Sequence, residues 1–426
     1  MKTLGAIAKH ALAAKHTPAA KNALAAVILV LAAVMTVSCG KVPEPLPSGG
    51  SRPLPDREVV PGLGYQKVMI LYSEGYNDLV GNLSLNINQL CEGEIPFYHE
   101  RNVIVVYSHA AIRRGDYNTE TEPVIYRLYT AEGQVRRDTL VTFDPMTTTM
   151  TTSFVRGVME TIRNTFPSKH YGLVITSHGN GWIPGDYTGE NFDMSVAPFW
   201  IGAEYDGSYL NRKSLDITQL RTALPFRLDY IAFDACLMGG VEVAYELKDV
   251  CDYLVASPTE VISDGFNYQN MAARLLSDGE PDLQGLCEDY FNMCVGSRSY
   301  ATIGLYDCSK MQALADVCKP IFESHRDEVF SVNPYSVQSY NYSFNYNFDF
   351  RDYVKALHAT EEELKALDAA LDELVIYKNA TPYFITTPID PERFSGIGTY
   401  IPRSGTPTLN SCFMETAWNE EVHLLK

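Results

Sequence analysis

A chain of 426 residues is long enough for one large domain or two moderate ones. With 46% apolar and 20% charged residues it has an ordinary globular composition and ample material for a core. Its formal net charge of −18 argues against nucleic acid or an anionic bilayer surface as the main ligand, because both select basic patches.

The chain opens on an export signal. Lys2, Lys9, Lys15 and Lys21 form a long basic region without an acidic residue, and Ala23 to Val37 is an apolar core too short for an ordinary membrane span. The core stops at Val37-Ser38-Cys39-Gly40, which resembles a bacterial lipoprotein cleavage site with Cys39 as the lipidated first residue. The usual leucine three before the cysteine is Thr36 here. Removing residues 1–38 takes away four lysines and moves the formal charge to −22. Residues 39–64, with six prolines and no apolar periodicity, read as a semi-extended tether. An exported, membrane-anchored lipoprotein of the bacterial cell envelope is the expected localisation, with ordinary secretion or an uncleaved anchor as the alternatives.

From Gln66 the pattern alternates between strands and helices. Lys67–Tyr72 is an apolar strand, Asp78–Leu90 is helical, and Asn102–Ser108 is a second strand. Pro123–Thr130 and Thr139–Phe143 flank a turn at Glu132-Gly133 and form a small antiparallel excursion. Ser153–Phe166 has helical spacing, closed by Pro167. Strands at Tyr171–Ser177, Asp229–Phe233, Tyr253–Ser257 and Ala301–Tyr306 alternate with helices at 216–222, 240–247, 268–277, 282–295 and 309–328. Such alternation implies a mainly parallel sheet covered on both faces. Residues 65–330 are therefore expected as one α/β domain. Residues 331–426 are expected as a C-terminal subdomain: an Asn/Tyr/Phe-rich stretch at 333–353, helices at 351–357 and 361–377, and a hairpin-like return over 380–402. The aromatic run could bind sugar or peptide, with packing as the commoner fate of such residues.

Two residues at strand ends carry the chemistry. His178 follows Tyr171-Gly-Leu-Val-Ile-Thr-Ser177 and precedes Gly179-Asn-Gly-Trp182. Cys236 follows Leu228-Asp-Tyr-Ile-Ala-Phe-Asp234-Ala235 and precedes Leu237-Met-Gly-Gly240. In open parallel sheets, ligands gather outside the carboxyl ends of the strands. A thiol and an imidazole delivered to that edge can act as nucleophile and base. A helix starting at Gly239 or Gly240 would favour a thiolate, and the backbone amides of Gly179 and Cys236 could receive an acyl oxyanion. The bland alternatives are an ordinary loop histidine and a buried structural cysteine. The other cysteines after Cys39 (Cys91, Cys251, Cys287, Cys294, Cys308, Cys318 and Cys412) are scattered without zinc-site spacing and read mostly as buried thiols, with one or two bridges possible. There is no His-Glu-x-x-His, no Gly-x-Ser-x-Gly and no phosphate-binding glycine loop.

His-Gly-Asn-Gly-Trp (178–182) and Asp-Ala-Cys-Leu-Met (234–238), in that order, resemble the clostripain family of cysteine peptidases. Ala256-Ser-Pro-Thr-Glu260 and the late Gly-Thr-Tyr-Ile-Pro before Trp418 extend the likeness from about residue 66 to the end. The resemblance implies a caspase-like α/β/α sandwich, Cys236 as nucleophile, His178 as general acid/base, and the Gly179 and Cys236 amides as oxyanion hole. It further implies cleavage after Arg or Lys, hence protein or peptide substrates with basic residues and a carboxylate in the S1 pocket. Asp234 matches the family motif for that carboxylate, its other reading being to orient the loop. Asp264, on the loop after the next strand, is the better candidate for the pocket floor, with Glu260 in competition. Self-cleavage within 183–227, where Arg212-Lys213 is a basic pair, is a further implication. No cofactor is expected; calcium dependence is known in the family, yet no acidic run has EF-hand spacing, so no metal residue is assigned. The rival from another class is a non-catalytic surface-binding lipoprotein on a peptidase scaffold.

Overall fold

Alternation along one buried strand organises the molecule. In this computed structural model, residues 64–426 are described apart from 111, 115–116, 120, 146, 186–200, 205–212 and 341–345. The leader, Cys39 and nearly all of the tether lie outside the described residues, as does Arg212. Strand β1 (Val68–Gly75) is buried along its whole length. Its Val68, Ile70 and Tyr72 join one hydrophobic cluster, whereas Met69 and Leu71 join another. The twofold side-chain period thus divides the core into two layers, one on each face of a sheet.

In chain order the principal elements are β1, α1 (Val80–Cys91), β2 (Val103–Ala110), β3 (Val124–Ala131), β4 (Gln134–Thr142), α2 (Thr152–Thr165) and β5 (Tyr171–Thr176). They continue with β6 (Ile201–Glu204), β7 (Lys213–Leu215), α3 (Ile217–Ala223), β8 (Leu228–Asp234), α4 (Val241–Leu247) and β9 (Cys251–Ala256). Then come α5 (Tyr268–Leu275), α6 (Leu283–Gly296), β10 (Thr302–Asp307), α7 (Met311–Ser324), α8 (Phe350–Ala356), α9 (Glu361–Leu374) and β11 (Val375–Ala380). Nine strands form the main sheet in the order β11-β10-β9-β8-β5-β1-β2-β3-β4. The five central strands, β9 to β2, are parallel, and the two strands on each flank are antiparallel. The α/β architecture is therefore the one expected, with antiparallel borders.

Helices α2, α4 and α7 cover one face through residues such as Val158, Met159, Val243 and Phe322. Helices α1, α5 and α6 cover the other through Leu90, Met271, Leu286 and Tyr290. Apolar burial at ~25 cal/mol per Å² is the main stabilising term for such layers.

Two local expectations need correction. The sequence pattern predicts a helix through residue 377, but Val375-Ile-Tyr377 begins β11, the edge strand paired with β10. Two β-formers and an aromatic outweigh helical continuation there. The second hairpin strand starts at Gln134 rather than Thr139, because Glu132 and Gly133 both take positive φ (54° and 72°) and return the chain in two residues. Phe350, Tyr353, Leu371 and Trp418 share the first hydrophobic cluster with α4 and α7, and the described residues from 64 to 426 belong to one compact unit. Among the described part of the aromatic run, Tyr340, Tyr346, Phe348, Phe350 and Tyr353 are buried, so packing is their observed use.

Candidate active site

Strand register brings the two motifs together. Strands β5 and β8 are parallel neighbours in which Thr176 lies opposite Asp234. His178 and Cys236 each follow by two residues, so equal offsets bring them off adjacent strands, ~4.8 Å apart in the sheet, at the same edge.

The two loops that leave these strands pack backbone against backbone. A Cβ on Gly179 would lie 2.7 Å from the Cys236 carbonyl oxygen and 3.0 Å from the Cys236 nitrogen. Gly181 has φ +67°, and a Cβ there would lie 2.8 Å from the Leu237 carbonyl oxygen. These two glycines are needed for close approach and, at Gly181, for the left-handed backbone. The residue after the cysteine, Leu237, is held at φ 62°, a conformation costly for a non-glycine residue. Hydrogen bonds to the segment beyond β9 hold this turn: Leu237 N–H to Thr259 O at 2.9 Å, and Gly239 N–H to Ser257 O at 2.9 Å.

The thiol of Cys236 is clasped by the same segment. Its Sγ accepts from Val261 N–H at 3.3 Å and donates to Val261 O at 3.6 Å. Burial pushes this thiol up to about 12, with the charges of Glu260 and Asp234 acting in the same direction against the Val261 amide. The expected thiolate-favouring helix terminus does not prevail: α4 begins only at Val241, five residues on, and burial dominates. Glu260 is itself pushed up to about 7 by burial, and its Oε2 is buried with no hydrogen-bond partner among the described residues.

His178 is largely buried and directs Nε2 to Asp78 Oδ1 at 2.7 Å. Among the described residues, neither Cys236 nor His178 hydrogen-bonds to the other.

A cavity of about 260 Å³ opens beside the pair, its lining including Asn82, Asn86, Thr176, His178, Asp234 and Cys236. Asp234 is buried and accepts from Tyr268 Oη at 2.5 Å and Thr176 Oγ1 at 3.2 Å. Burial raises it to about 6, against those two hydroxyls and the Phe266 amide, which favour the carboxylate. Gly265 (φ +66°) leans on it; a Cβ there would lie 2.5 Å from Oδ2. Asp264 is exposed and is not among the residues lining the cavity, whereas its neighbours Ser263 and Gly265 are. The carboxylate in this cavity is that of Asp234.

Trp182 is buried against Tyr400 and Phe413, with ring centroids 5.4 Å away in each case, and so belongs to the core. Lys213, the described half of the basic pair, is exposed at the start of β7. Among the described residues no group of three or more His, Cys, Asp or Glu could hold a metal ion. Asp78 is the site residue that sequence reasoning missed. It lies three residues past the end of β1, and a carboxylate following a central strand at the active edge was the available signal.

The family model described as the clostripain family matches residues 71–386. The chain belongs to the clostripain family. Clostripain of Hathewaya histolytica is 26% identical over 241 residues, covering 50% of this chain and 43% of that protein. The chain thus spans less than half of that relative's length. The structure of an inactive zymogen C11 protease from Parabacteroides distasonis matches with a TM-score of 0.71 and 25% identity, covering 84% of this chain and 99% of the other. A secreted C11 cysteine protease from Bacteroides thetaiotaomicron matches with a TM-score of 0.69 and 26% identity, covering 85% and 100%. The expected clostripain-family membership and caspase-like α/β fold are therefore both found.

Proposed function

We propose that this clostripain-family protein is an exported cysteine endopeptidase that cleaves after Arg or Lys through Cys236 and His178. The observation that supports the reading is the Thr176–Asp234 register, which brings both motifs to one edge of the sheet, where His178 and Cys236 line a cavity containing a buried carboxylate. Cys236 Sγ attacks the substrate carbonyl carbon as its proton passes to His178. With Nε2 engaged by Asp78, Nδ1 is the nitrogen that exchanges this proton. The tetrahedral oxyanion is received by the Gly179 and Cys236 amides. His178 then returns the proton to the leaving amine, and an acyl-enzyme remains. Water, deprotonated by His178, hydrolyses the thioester and restores the thiol.

Asp234 is the proposed partner of the basic P1 side chain, since a guanidinium or ammonium entering the cavity would meet a carboxylate already oriented by Tyr268 and Thr176. The Val261 contacts of Cys236, made in place of a hydrogen bond to His178, fit a site completed by substrate or by chain processing within 183–227. The basic leader and the Val37-Ser38-Cys39-Gly40 sequence support export and lipid anchoring through Cys39, and the secreted relative is consistent with export.

The test is cleavage of Arg- and Lys-containing reporter peptides by the wild-type protein and by Cys236→Ala. Loss of all turnover in the variant is expected, and undiminished turnover would sink the mechanism. A peptide-library profile decides the P1 residue independently.

A further inference from the structure

We infer that Asp78 is a positioning residue for His178, turning the Cys/His pair into an Asp–His–Cys constellation; this deepens the peptidase reading and rests on it.

The contact is built from both chain neighbourhoods. His178 Nε2 and Asp78 Oδ1 are 2.7 Å apart, within the range of a charge-assisted hydrogen bond. The preceding residues on the two loops, Asn77 and Ser177, are both buried and are fastened to each other and to one carbonyl. Asn77 Nδ2 donates to Ser177 Oγ at 3.3 Å and to Glu74 O at 3.0 Å, and Ser177 Oγ donates to Glu74 O at 2.7 Å. Asn77 Oδ1 accepts from Leu79 N–H at 2.9 Å, which fixes the loop on the other side of Asp78.

Glu74 is itself immobilised. Its carboxylate meets His109 Nδ1 at 3.0 Å, Tyr107 Oη at 3.2 Å and Thr149 Oγ1 at 3.0 Å, all in the interior. The end of β1 is thus an anchor from which residues 77–78 reach across to 177–178, just past the end of the neighbouring strand β5. Two side-by-side pairs result, Asn77 with Ser177 and Asp78 with His178. The first sets the spacing of the second.

This geometry gives the imidazole a defined task. A carboxylate on Nε2 holds the proton there and leaves Nδ1 free as the base. When Nδ1 takes the proton of Cys236, the carboxylate stabilises the imidazolium. The Asp78 side chain is 46% exposed, so solvent screens its interaction with the imidazole and its effect is smaller than that of a buried triad aspartate.

The test compares wild type with Asp78→Asn, which keeps the shape and removes the charge, and with Asp78→Glu, which restores it. For Asp78→Asn, kcat is expected to fall roughly 10- to 1000-fold, below the ~10⁴ loss known for a buried triad aspartate, with KM changed less than about threefold. Asp78→Glu should recover part of the loss. Nitrogen-15 NMR of labelled histidine should place the His178 proton on Nε2 in wild type and show a redistribution in Asp78→Asn. A kcat within twofold of wild type overturns the proposal, and so does a lower kcat with an unaltered His178 tautomer. If wild type cleaves no peptide, the peptidase reading fails, while the tautomer measurement still judges Asp78.

Discussion

Replacing Asp234 by Asn should separate activity from stability in opposite directions. The Asp234 carboxylate is buried and hydrogen-bonded by Tyr268 and Thr176, and burial nevertheless raises it to about 6. Asn fills the same space but presents no charge to a basic P1 side chain. Removing one member of a buried charge pair costs about 2–5 kcal/mol, so kcat/KM for an Arg substrate should fall by roughly 30- to 4000-fold at ~1.4 kcal/mol per decade. A peptide with the neutral isostere citrulline at P1 should change far less. Because the Asp234 group is raised in the fold relative to the unfolded chain, the folded state holds its proton more tightly between about 4 and 6. Its contribution to stability is therefore full below the unfolded value and is lost as pH rises through about 6. Asp234→Asn removes that loss and should be more stable at pH 7, on the order of 1–3 kcal/mol. Wild-type kcat/KM for Arg substrates should likewise drop below about pH 6, and the variant should lack this limb. Initial rates across pH, paired with denaturant unfolding, test the argument. Arg turnover within threefold of wild type would refute it, and lower stability at pH 7 would show that Asp234 holds the loop instead.

Two other substitutions probe the frame around the site. Glu242 is buried, accepts from Thr399 Oγ1 at 2.8 Å and Tyr400 N–H at 3.0 Å, and is raised to about 7 by burial. Stability from this group is full below about 4.5 and lost as pH rises through 7; Glu242→Gln should flatten that decline in thermal melts from pH 4.5 to 8, and a constant offset between the two proteins would contradict it. Gly179→Ala places a methyl 2.7 Å from the Cys236 carbonyl oxygen and 2.8 Å from Ala235 Cβ. The loop must shift, so kcat should fall at least ~100-fold, the typical effect of losing an oxyanion donor, with steady-state kinetics as the check.

His178 and Cys236 were legible because each ends an apolar run with a glycine-containing turn, a pattern set by local sequence. Their proximity was not, since it depends on β5 and β8 being neighbours in register, and strand order is a tertiary property. Asp78 was hidden for the same reason: in sequence it looks like the start of α1, and only the placement of β1 beside β5 brings it to the imidazole. Position along the chain favours Asp264 over Asp234, but burial reverses that order, with Asp234 lining the cavity and Asp264 exposed outside it. The Val261 clasp on Cys236 is made by backbone atoms, which side-chain patterns do not encode. Strand β11 was lost because it follows α9 without an intervening loop.

The central claim is that Cys236 is a nucleophile addressed by a basic P1 residue. The most direct measurement is mass-spectrometric mapping of the protein after incubation with an arginyl acyloxymethyl ketone, alongside Cys236→Ala. Covalent adduct on Cys236 alone, and no adduct in the variant, is the predicted result. An unlabelled Cys236, or equal labelling of the variant, would contradict the account.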